Sequence, residues 1–249
     1  MALKRAMHPD AEVNKHRETF DIRSSEVYPS QKAKLSSLCN LMQEVAGNHA
    51  RMLDFDIMSL REKDLTWVLH RLHVQIDRYP EWRDRITIET WPSSGDALRA
   101  YRDFVLLDEN GNEIGKALSY WIMLNTENRR PVRMPEKILD MAPRDITHVL
   151  PVRRNRVDLP GELTFDTTFK VRKGDLDVNE HLNNVKYIEW ALEVVDSPLP
   201  VHNLDIEFRS ECHNGDEVKA GSLMTKEEVI YAMKRGESDE IVSVARTSL

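Results

Sequence analysis

The first half of the chain changes from a helical to a strand-like period of apolar residues. After the segment FDIRSSEV at residues 20–27, apolar residues recur every three or four positions from about residue 30 to residue 53. This spacing predicts a long amphipathic helix. Its apolar face comprises Leu35, Leu38, Met42, Val45, His49 and Met52.

Period-two alternation follows this helix and predicts strands. One face of the first strand comprises Val68, His70, Leu72, Val74 and Ile76. Ile86 and Ile88 mark the next strand, and residues 99–107 and 113–124 form the arms of a hairpin. The arms meet at Asn110-Gly111, a strong signal for a hairpin turn. The predicted order is therefore one helix followed by an antiparallel meander.

A concentrated polar motif precedes a second amphipathic pattern. Asp177, Asn179 and His181 occupy alternate positions, so an extended backbone would place them on one side. The apolar positions of the following helix are Val185, Ile188, Leu192 and Val195. A helix start carries unpaired N–H groups, so we expect these amides to face the polar residues and form a site suited to a developing oxyanion.

The two halves of the chain repeat the same order. At an offset of 149 residues, Phe20, Ile22, Arg23, Val27 and Glu44 match Phe169, Val171, Arg172, Leu176 and Glu193. At an offset of 132 residues, Val74, Ile76, Asp84 and Ile86 match Ile206, Phe208, Asp216 and Val218. The polar motif corresponds to Tyr28, Ser30 and Lys32, so the first half lacks it. This asymmetry favours a functional role for the second-half residues.

Residues 143–163 separate the two repeats. They contain three prolines, a glycine and clustered charge, which is typical of a linker. We predict an α+β chain with an N-terminal unit at residues 1–145, a linker at 146–162 and a C-terminal unit at 163–249.

Composition narrows the possible functions. The 249 residues are 41% hydrophobic and carry a net charge of −7, which predicts a folded protein that does not bind nucleic acid. Apolar runs are too short for stable membrane insertion, and the first 19 residues do not resemble a secretory signal or a full transit peptide. Only Cys39 and Cys212 are present, so neither a disulfide framework nor a thiolate zinc site is expected. We expect a cytoplasmic protein without a cofactor or metal.

Several segments resemble the acyl-ACP thioesterases, a family of plant plastid enzymes and bacterial relatives. They are FDIRSSEVYPSQKAKLSSLCNLMQEVAGNHA, LTWVLHRLHVQIDRYPEWRDRITIETWP, YWIMLNTENRRPVRMPEKI, DLDVNEHLNNVKYIEW and IEFRSECHNGDEV. The most specific pattern is DxNxHxNNxxYxxW, and together the segments cover nearly the whole chain.

This resemblance implies a fold and a reaction. The expected fold is a tandem double hotdog, in which each half is a long helix wrapped by an antiparallel sheet. The N-terminal half would hold the acyl chain, and the C-terminal half would hydrolyse fatty acyl thioesters of acyl carrier protein in fatty acid biosynthesis. The partner would be acyl carrier protein bearing a fatty acyl phosphopantetheine. The absence of a transit-peptide pattern favours a bacterial, cytoplasmic form.

By motif position, the implied active residues are Asp177, Asn179, His181, Glu211 and Cys212. Thioester hydrolysis needs little protonation of the leaving thiolate, so a water and an oxyanion site are the main requirements. In the preferred hypothesis, Asn179 and the helix amides hold the carbonyl oxygen, Glu211 or Asp177 activates water, and His181 orients it or relays its proton. In the rival hypothesis, a Cys212 thiolate paired with His181 forms an acyl-enzyme. A free cysteine is more often a buried packing residue, which weighs against the rival.

Two further sets of residues are candidates for substrate binding. An acidic carrier protein would dock on two arginine clusters, which are Arg129, Arg130 and Arg133, and Arg153, Arg154 and Arg156. An acyl chain would lie against Met42, Met52, Trp67 and Met123, although residues of these types usually pack the core.

Three other functions share this chemistry or fold. A hotdog acyl-CoA thioesterase would recognise a nucleotide instead of a carrier protein. A non-catalytic acyl-binding or regulatory protein would bind the chain without turnover, and a hotdog dehydratase would leave the thioester intact. Antiparallel sheets with open edges can associate edge to edge, so we also predict a homodimer.

Overall fold

In the part of the chain that the structure describes, ten strands form one antiparallel sheet that runs through both halves. The computed structural model describes residues 14–142, 147–194, 201–236, 238 and 240–248. The strands are β1 (His16–Asp21), β2 (Leu65–Ile76), β3 (Arg85–Gly95), β4 (Arg99–Leu107), β5 (Glu113–Asn125), β6 (Thr167–Lys170), β7 (Asn203–Phe208), β8 (Glu217–Met224), β9 (Glu228–Arg235) and β10 (Ile241–Ser248). The helices are α1 (Leu35–Met52), α2 (Ile57–Arg61), α3 (Glu136–Leu139) and α4 (Asn184–Glu193). The predicted α+β class is confirmed.

The strand order shows how the halves are related. It is β1-β3-β4-β5-β2-β7-β10-β9-β8-β6. Reading outward from the central β2–β7 pair, each half has the same order of equivalent strands. The predicted repeat is confirmed at the hydrogen-bond level, because Ile22 N–H donates to Asp84 and Val171 N–H to Asp216, both at 2.9 Å. Ile22 and Val171 are 149 positions apart, and Asp84 and Asp216 are 132 positions apart, which are the two offsets found in the sequence.

The two long helices follow their apolar patterns. In α1, Leu35, Leu38, Met42, Val45 and His49 are buried as predicted, but Met52 is 69% exposed because the helix ends there. The helix also begins later than predicted, since residues 27–33 form a turn closed by a bridge between Val27 and Ala33.

The second helix, α4, buries the predicted face at Val185, Ile188 and Leu192. Val195 lies outside the described residues. Asn183 precedes the helix, and its side-chain oxygen accepts the Val185 N–H at 3.0 Å. The helices α1 and α4 pack against each other and share one apolar core with the sheet.

One strand prediction needs correction, and a tight turn follows the first strand. β1 ends at Asp21, and Ser24–Glu26 form a 3-10 turn. The Glu26 carboxylate accepts the Arg23 N–H at 2.7 Å, and this bond closes the turn. In β2, the pairing register with β5 shifts between Leu69 and Arg71, so period two is interrupted at His70. As a result Leu69 joins Leu72 in the core, whereas Val68 and His70 do not.

The hairpin prediction is confirmed. β4 and β5 flank the turn, and Gly111 adopts a φ of 81°, which favours glycine. The Asp108 carboxylate also stabilises the turn, because it accepts the N–H groups of Asn110 and Asn112, both at 2.9 Å. The Asn-Gly pair alone did not predict these hydrogen bonds.

Residues 147–163 cross the face of the sheet that the helices leave uncovered. Leu150 packs with Tyr101 and Tyr120, and Val157 packs with side chains of β9 and β10. Beneath this segment, the buried Arg71 and Asp205 make a bidentate ion pair at 2.7 Å. Arg71 also donates to the Asn155 carbonyl oxygen at 2.7 Å. The segment is therefore fixed to the centre of the sheet.

Among the helices within the described ranges, none is long and apolar enough to cross a membrane.

Candidate active site

The polar motif lies in a tight turn between the 3-10 turn Lys173–Asp175 and α4. The Asp177 N–H donates to the His181 carbonyl oxygen at 2.8 Å, and the Glu180 N–H donates to the Asp177 carbonyl oxygen at 3.0 Å. A bridge between Leu176 and Leu182 closes the turn. The segment is therefore not the extended stretch predicted, because Glu180 takes a φ of 63° and reverses the chain.

The Asp177 carboxylate organises this turn from inside. Its Oδ1 accepts the N–H of Asn179 at 2.8 Å and the N–H of His181 at 3.2 Å. Among the described residues, no group binds Oδ2. One oxygen of Asp177 thus holds the turn, while the other stays available to a water or substrate.

The first half contains the same turn with Tyr28, Ser30 and Lys32 in place of Asp177, Asn179 and His181. There the Tyr28 N–H donates to the Lys32 carbonyl oxygen at 2.9 Å, and the Gln31 N–H donates to the Tyr28 carbonyl oxygen at 2.8 Å. Gln31 has a φ of 68°, as Glu180 does in the second half. Since this backbone shape forms without an aspartate, folding alone does not require Asp177.

Glu211 and His181 come together beside the turn. Glu211 follows β7, and the next residue accepts the Leu182 N–H through its carbonyl oxygen at 2.8 Å, which ties the two segments together. The Glu211 Oε1 lies 3.5 Å from the His181 Nδ1. The His181 and Glu211 side chains are 21% and 28% exposed, so both remain accessible to water.

Cys212 is adjacent in sequence but does not share this position. Its side chain is 0% exposed and packs in the main apolar core. Burial raises the pKa of the Cys212 thiol, which disfavours the thiolate that a nucleophile requires. The structure therefore brings Asp177, Asn179, His181 and Glu211 together and leaves Cys212 behind them.

The amides at the start of α4 are mostly occupied. The N–H groups of Leu182, Asn183 and Val185 all have acceptors at 2.8 to 3.0 Å. Within the described part of the chain, the Asn184 N–H has no acceptor, and Asn184 lines the cleft described next. The expected set of free helix amides is thus reduced to one.

A cleft of about 1460 Å³ opens at the site. Asp177, Asn179, His181 and Glu211 line one part of it. The apolar lining includes Phe55, Ile57, Trp67, Leu69, Trp121 and Ile138. A cleft that joins four polar side chains to an apolar channel suits a ligand with a reactive head and a hydrocarbon tail.

Of the four residues predicted to line an acyl cavity, Trp67 alone is among the residues that line this cleft. Met42 and Met123 are buried core residues, at 2% and 0% exposure. Met52 is exposed at the end of α1 and lies outside the cleft lining. Flexible apolar side chains fit both environments, so the sequence alone does not separate them.

Two arginines reach the site from the first half of the chain. The Arg61 Nη2, at the end of α2, donates to the Val178 carbonyl oxygen at 2.8 Å and to the Asn179 Oδ1 at 3.0 Å. Arg129 forms an ion pair with the Glu211 Oε2. No sequence pattern predicted a role for Arg61, because it is an isolated charge in a short helix.

The arginine clusters proposed for carrier docking are partly engaged inside the protein. Arg129 holds Glu211, and the Arg153 Nη1 lies 3.3 Å from the Asp205 Oδ2. Arg130, Arg133, Arg154 and Arg156 are exposed.

No group of His, Cys, Asp or Glu side chains among the described residues has an arrangement that would hold a metal ion.

Comparison with known families assigns both halves of the chain. The model of the acyl-ACP thioesterase N-terminal domain matches residues 13–142, and that of the C-terminal domain matches residues 160–247.

Curated relatives give the same result. The chain is 33% identical over 234 residues to oleoyl-acyl carrier protein thioesterase 2, chloroplastic, of Arabidopsis thaliana, covering 85% of this chain and 63% of that protein. It is 33% identical over 214 residues to dodecanoyl-[acyl-carrier-protein] hydrolase, chloroplastic, of Cinnamomum camphora, covering 79% of this chain and 56% of that protein. The chain thus spans less than two-thirds of the length of these relatives.

Solved structures extend the comparison. The 12:0-ACP thioesterase from Umbellularia californica superposes with a TM-score of 0.82 at 28% identity, covering 94% of this chain and 96% of that chain. An acyl-ACP thioesterase from Bacteroides thetaiotaomicron has the same fold, with a TM-score of 0.86 at 24% identity over 95% and 98% of the two chains. The chain belongs to the acyl-ACP thioesterase family.

Proposed function

We propose that this protein hydrolyses fatty acyl thioesters of acyl carrier protein and releases the free fatty acid and the carrier thiol. The observation that carries the proposal is the meeting of Asn179, His181 and Glu211 at one part of an apolar cleft. Membership of the family supports the carrier-linked substrate. The acyl chain would occupy the apolar part of the cleft, and the thioester would lie beside the polar residues.

We also propose that the chain is a tandem double hotdog with units at residues 1–145 and 163–249. This description is supported by five strands and one long helix in each half, arranged in the same order. The segment at 146–162 would act as the connection between the units. The cleft would then combine an acyl-binding surface from the first unit with catalytic residues from the second.

In the proposed reaction, Asn179 binds the thioester carbonyl oxygen through its Nδ2 group, assisted by the Asn184 N–H. A water attacks the carbonyl carbon, and the proton of that water passes to the His181–Glu211 pair. A histidine ring nitrogen can accept a proton in a general-base step, and an adjacent carboxylate stabilises the charged ring. The tetrahedral intermediate then collapses, the C–S bond breaks, and the sulfur leaves as a thiolate that takes up a proton.

Asp177 has two roles in this proposal. Its Oδ1 holds the turn, and its Oδ2 accepts a hydrogen bond from the attacking water. Asp177→Asn keeps an oxygen that accepts both backbone N–H groups but removes the negative charge. We therefore expect Asp177→Asn to fold normally and to lower kcat by roughly 10²- to 10³-fold, the order of the loss when one preorganised hydrogen-bonding group is removed from the transition state.

The proposal also names a docking surface for the carrier protein. The exposed Arg130, Arg133, Arg154 and Arg156 are candidates for contact with an acidic carrier protein. A cytoplasmic location and a homodimer stay predictions, with the edge strands β1 and β6 as the surfaces on which a dimer would form.

The decisive experiment compares free-thiol release from matched acyl-ACP and acyl-CoA substrates over a series of chain lengths. Wild type and Asp177→Asn are measured together. Faster cleavage of acyl-ACP that is lost in the variant supports the proposal. Preference for acyl-CoA would instead identify a CoA thioesterase, and tight acyl binding without thiol release would identify a binding protein.

A further inference from the structure

Arg61 is a first-half residue that contacts the polar motif of the second half. It is the last residue of α2, a short helix in which the Asp56 side chain accepts the Ser59 N–H at 3.0 Å. Its Nη2 donates to both the Val178 carbonyl oxygen and the Asn179 Oδ1, at 2.8 and 3.0 Å. Arg61 and Asn179 both line the cleft. This contact is not needed to form the turn, since the matching first-half turn closes with its own backbone bonds.

The contact has a chemical consequence for the asparagine. A side-chain amide has an acceptor at one end and a donor at the other, and a rotation by half a turn exchanges them. Arginine only donates, so its bond fixes Oδ1 towards Arg61 and Nδ2 away from it. Within the described residues, nothing accepts a hydrogen bond from the Asn179 Nδ2. The donor end is therefore left available inside the cleft.

We propose that Arg61 is a positioning residue that fixes the orientation of the Asn179 amide, so that its Nδ2 donates to the carbonyl oxygen of the bound thioester. This inference rests on the proposed hydrolysis and deepens it. A donor that is fixed in advance stabilises the charge of the transition state without reorganisation. Without Arg61, the Asn179 side chain is free to sample its other rotamers, so the productive orientation becomes a minor state and kcat falls in proportion to its population.

Three substitutions separate donation from charge. Arg61→Met keeps much of the length and removes both, Arg61→Lys keeps the charge with one compact donor group, and Arg61→Gln keeps a neutral donor. We expect Arg61→Met to lower kcat by about 10- to 100-fold, below the range for removing an oxyanion donor outright. KM should change less than about twofold, because the interaction develops in the transition state. Arg61→Gln and Arg61→Lys should each recover part of the activity.

A double-mutant cycle tests whether Arg61 acts through Asn179. If it does, Arg61→Met has no further effect on kcat in an Asn179→Ala protein, because the amide it orients is gone. A role in general electrostatics or in the shape of the cleft would leave the same loss in both backgrounds. Equal losses in the two backgrounds would overturn the proposal.

Lys63 provides the matched control. It is an exposed cation two residues beyond Arg61, so Lys63→Met removes the same charge without touching Asn179. Lys63→Met should retain wild-type kcat, and the thermal midpoint of all variants should lie within a few degrees of wild type. An active wild type with a fully active Arg61→Met variant would refute the role of Arg61 alone. A wild type inactive on acyl-ACP and acyl-CoA would refute the proposed function, and this inference with it.

Discussion

Cys212 follows Glu211 in the sequence, but its side chain is buried in the core and is not among the residues that line the cleft. Its carbonyl oxygen accepts the Leu182 N–H and so joins the motif turn to the segment after β7. Its sulfur faces the opposite way, into the core, next to Tyr187. The family motif places Cys212 in the active set, but in this chain the backbone supplies the contact and the side chain supplies packing.

We therefore predict that Cys212→Ala remains an active thioesterase. The expected kcat is within about threefold of wild type. The reason is that the Cys212 sulfur is buried in the core, away from the proposed positions of the attacking water and the thioester carbonyl. Stability should fall by about 1–2 kcal/mol, which is the order of the cost of a small core cavity. Steady-state thiol release and urea unfolding check the two parts. A variant that folds normally but is inactive, together with a burst of thiol release in the wild type, would restore the acyl-enzyme mechanism.

His49 is a titratable residue that belongs to the core instead of the site. It is 2% exposed, its Nδ1 lies 3.1 Å from the Arg102 Nη1, and its ring stacks on His16 at 5.4 Å. Burial first, and then the nearby charges of Arg102 and His16, lower the pKa of His49 to about 3. The folded protein thus holds this ring neutral.

The pH dependence of stability follows from this shift. The unfolded chain binds a proton at His49 below its ordinary pKa of about 6.5 and the folded chain does not, so stability falls as pH drops from 6.5 towards 3. For one such histidine the loss between pH 7 and pH 5 is about 2 kcal/mol. His49→Gln keeps an acceptor for Arg102 but cannot be protonated, so its loss should be smaller by this amount. Urea midpoints at both pH values provide the measurement, with the exposed His213→Gln as the control, and equal losses in wild type and His49→Gln would contradict the prediction.

At the scale of helices and strands, much of the architecture was predictable, because the residues on the buried face of a regular element recur with a fixed period in the sequence. The two long helices, the strands β2 to β5 and the hairpin turn all left such a pattern. The exceptions have local causes. The bulge in β2 at His70 inserts one residue, and period-two alternation gives no sign of such an insertion. The turns before α1 and α4 depend on a positive φ at Gln31 and Glu180, and neither residue type has a special preference for a positive φ.

The same reasoning explains which part of the site escaped prediction. Asp177, Asn179 and His181 are close in sequence, so one motif reveals them. Arg61 is 118 positions from Asn179, and Arg129 is 82 positions from Glu211. Contacts over such separations depend on the packing of one half against the other. A pattern read along one chain carries no information about them.

The start of α4 gives a prediction for a single element. Asn183 caps this helix with its side chain, whereas Lys34, its counterpart before α1, makes no side-chain cap bond. Asn183→Ala should cost about 1 kcal/mol of unfolding free energy, and Asn183→Ser should recover most of it. Lys34→Ala should change stability by only a few tenths of a kcal/mol, as for a surface substitution. Urea unfolding of the three variants tests the pair, and equal effects at both helix starts would contradict the capping role.

At the scale of the whole molecule, one buried ion network joins the two halves. Arg71 of β2 pairs with Asp205 of β7 across the central strand pair, and both are at most 3% exposed in their side chains. Arg153 and Arg246 also contact Asp205, at 3.3 and 3.2 Å. The halves are therefore linked by charge as well as by strand pairing, and we expect them to unfold together.

Removing Arg71 tests this linkage. Arg71→Met leaves Asp205 with weaker partners, so we expect a loss of about 2–4 kcal/mol, near the range for breaking a buried pair. Arg71→Met combined with Asp205→Leu should recover part of it, because no buried charge is then left without its main partner. Calorimetry should show one transition for the wild type. Two separate transitions in the wild type, or no loss in Arg71→Met, would show that the network does not couple the halves.

The paired turns at residues 27–33 and 176–182 have a consequence for how this site can change. One backbone shape forms with Asp, Asn and His in one copy and with Tyr, Ser and Lys in the other, so the fold permits other residues at positions 177, 179 and 181, although Asp177 adds two hydrogen bonds to its turn. Selection for chemistry can act there without loss of the backbone shape. The first copy is, for the same reason, a preformed frame onto which a second set of reactive residues can be grafted.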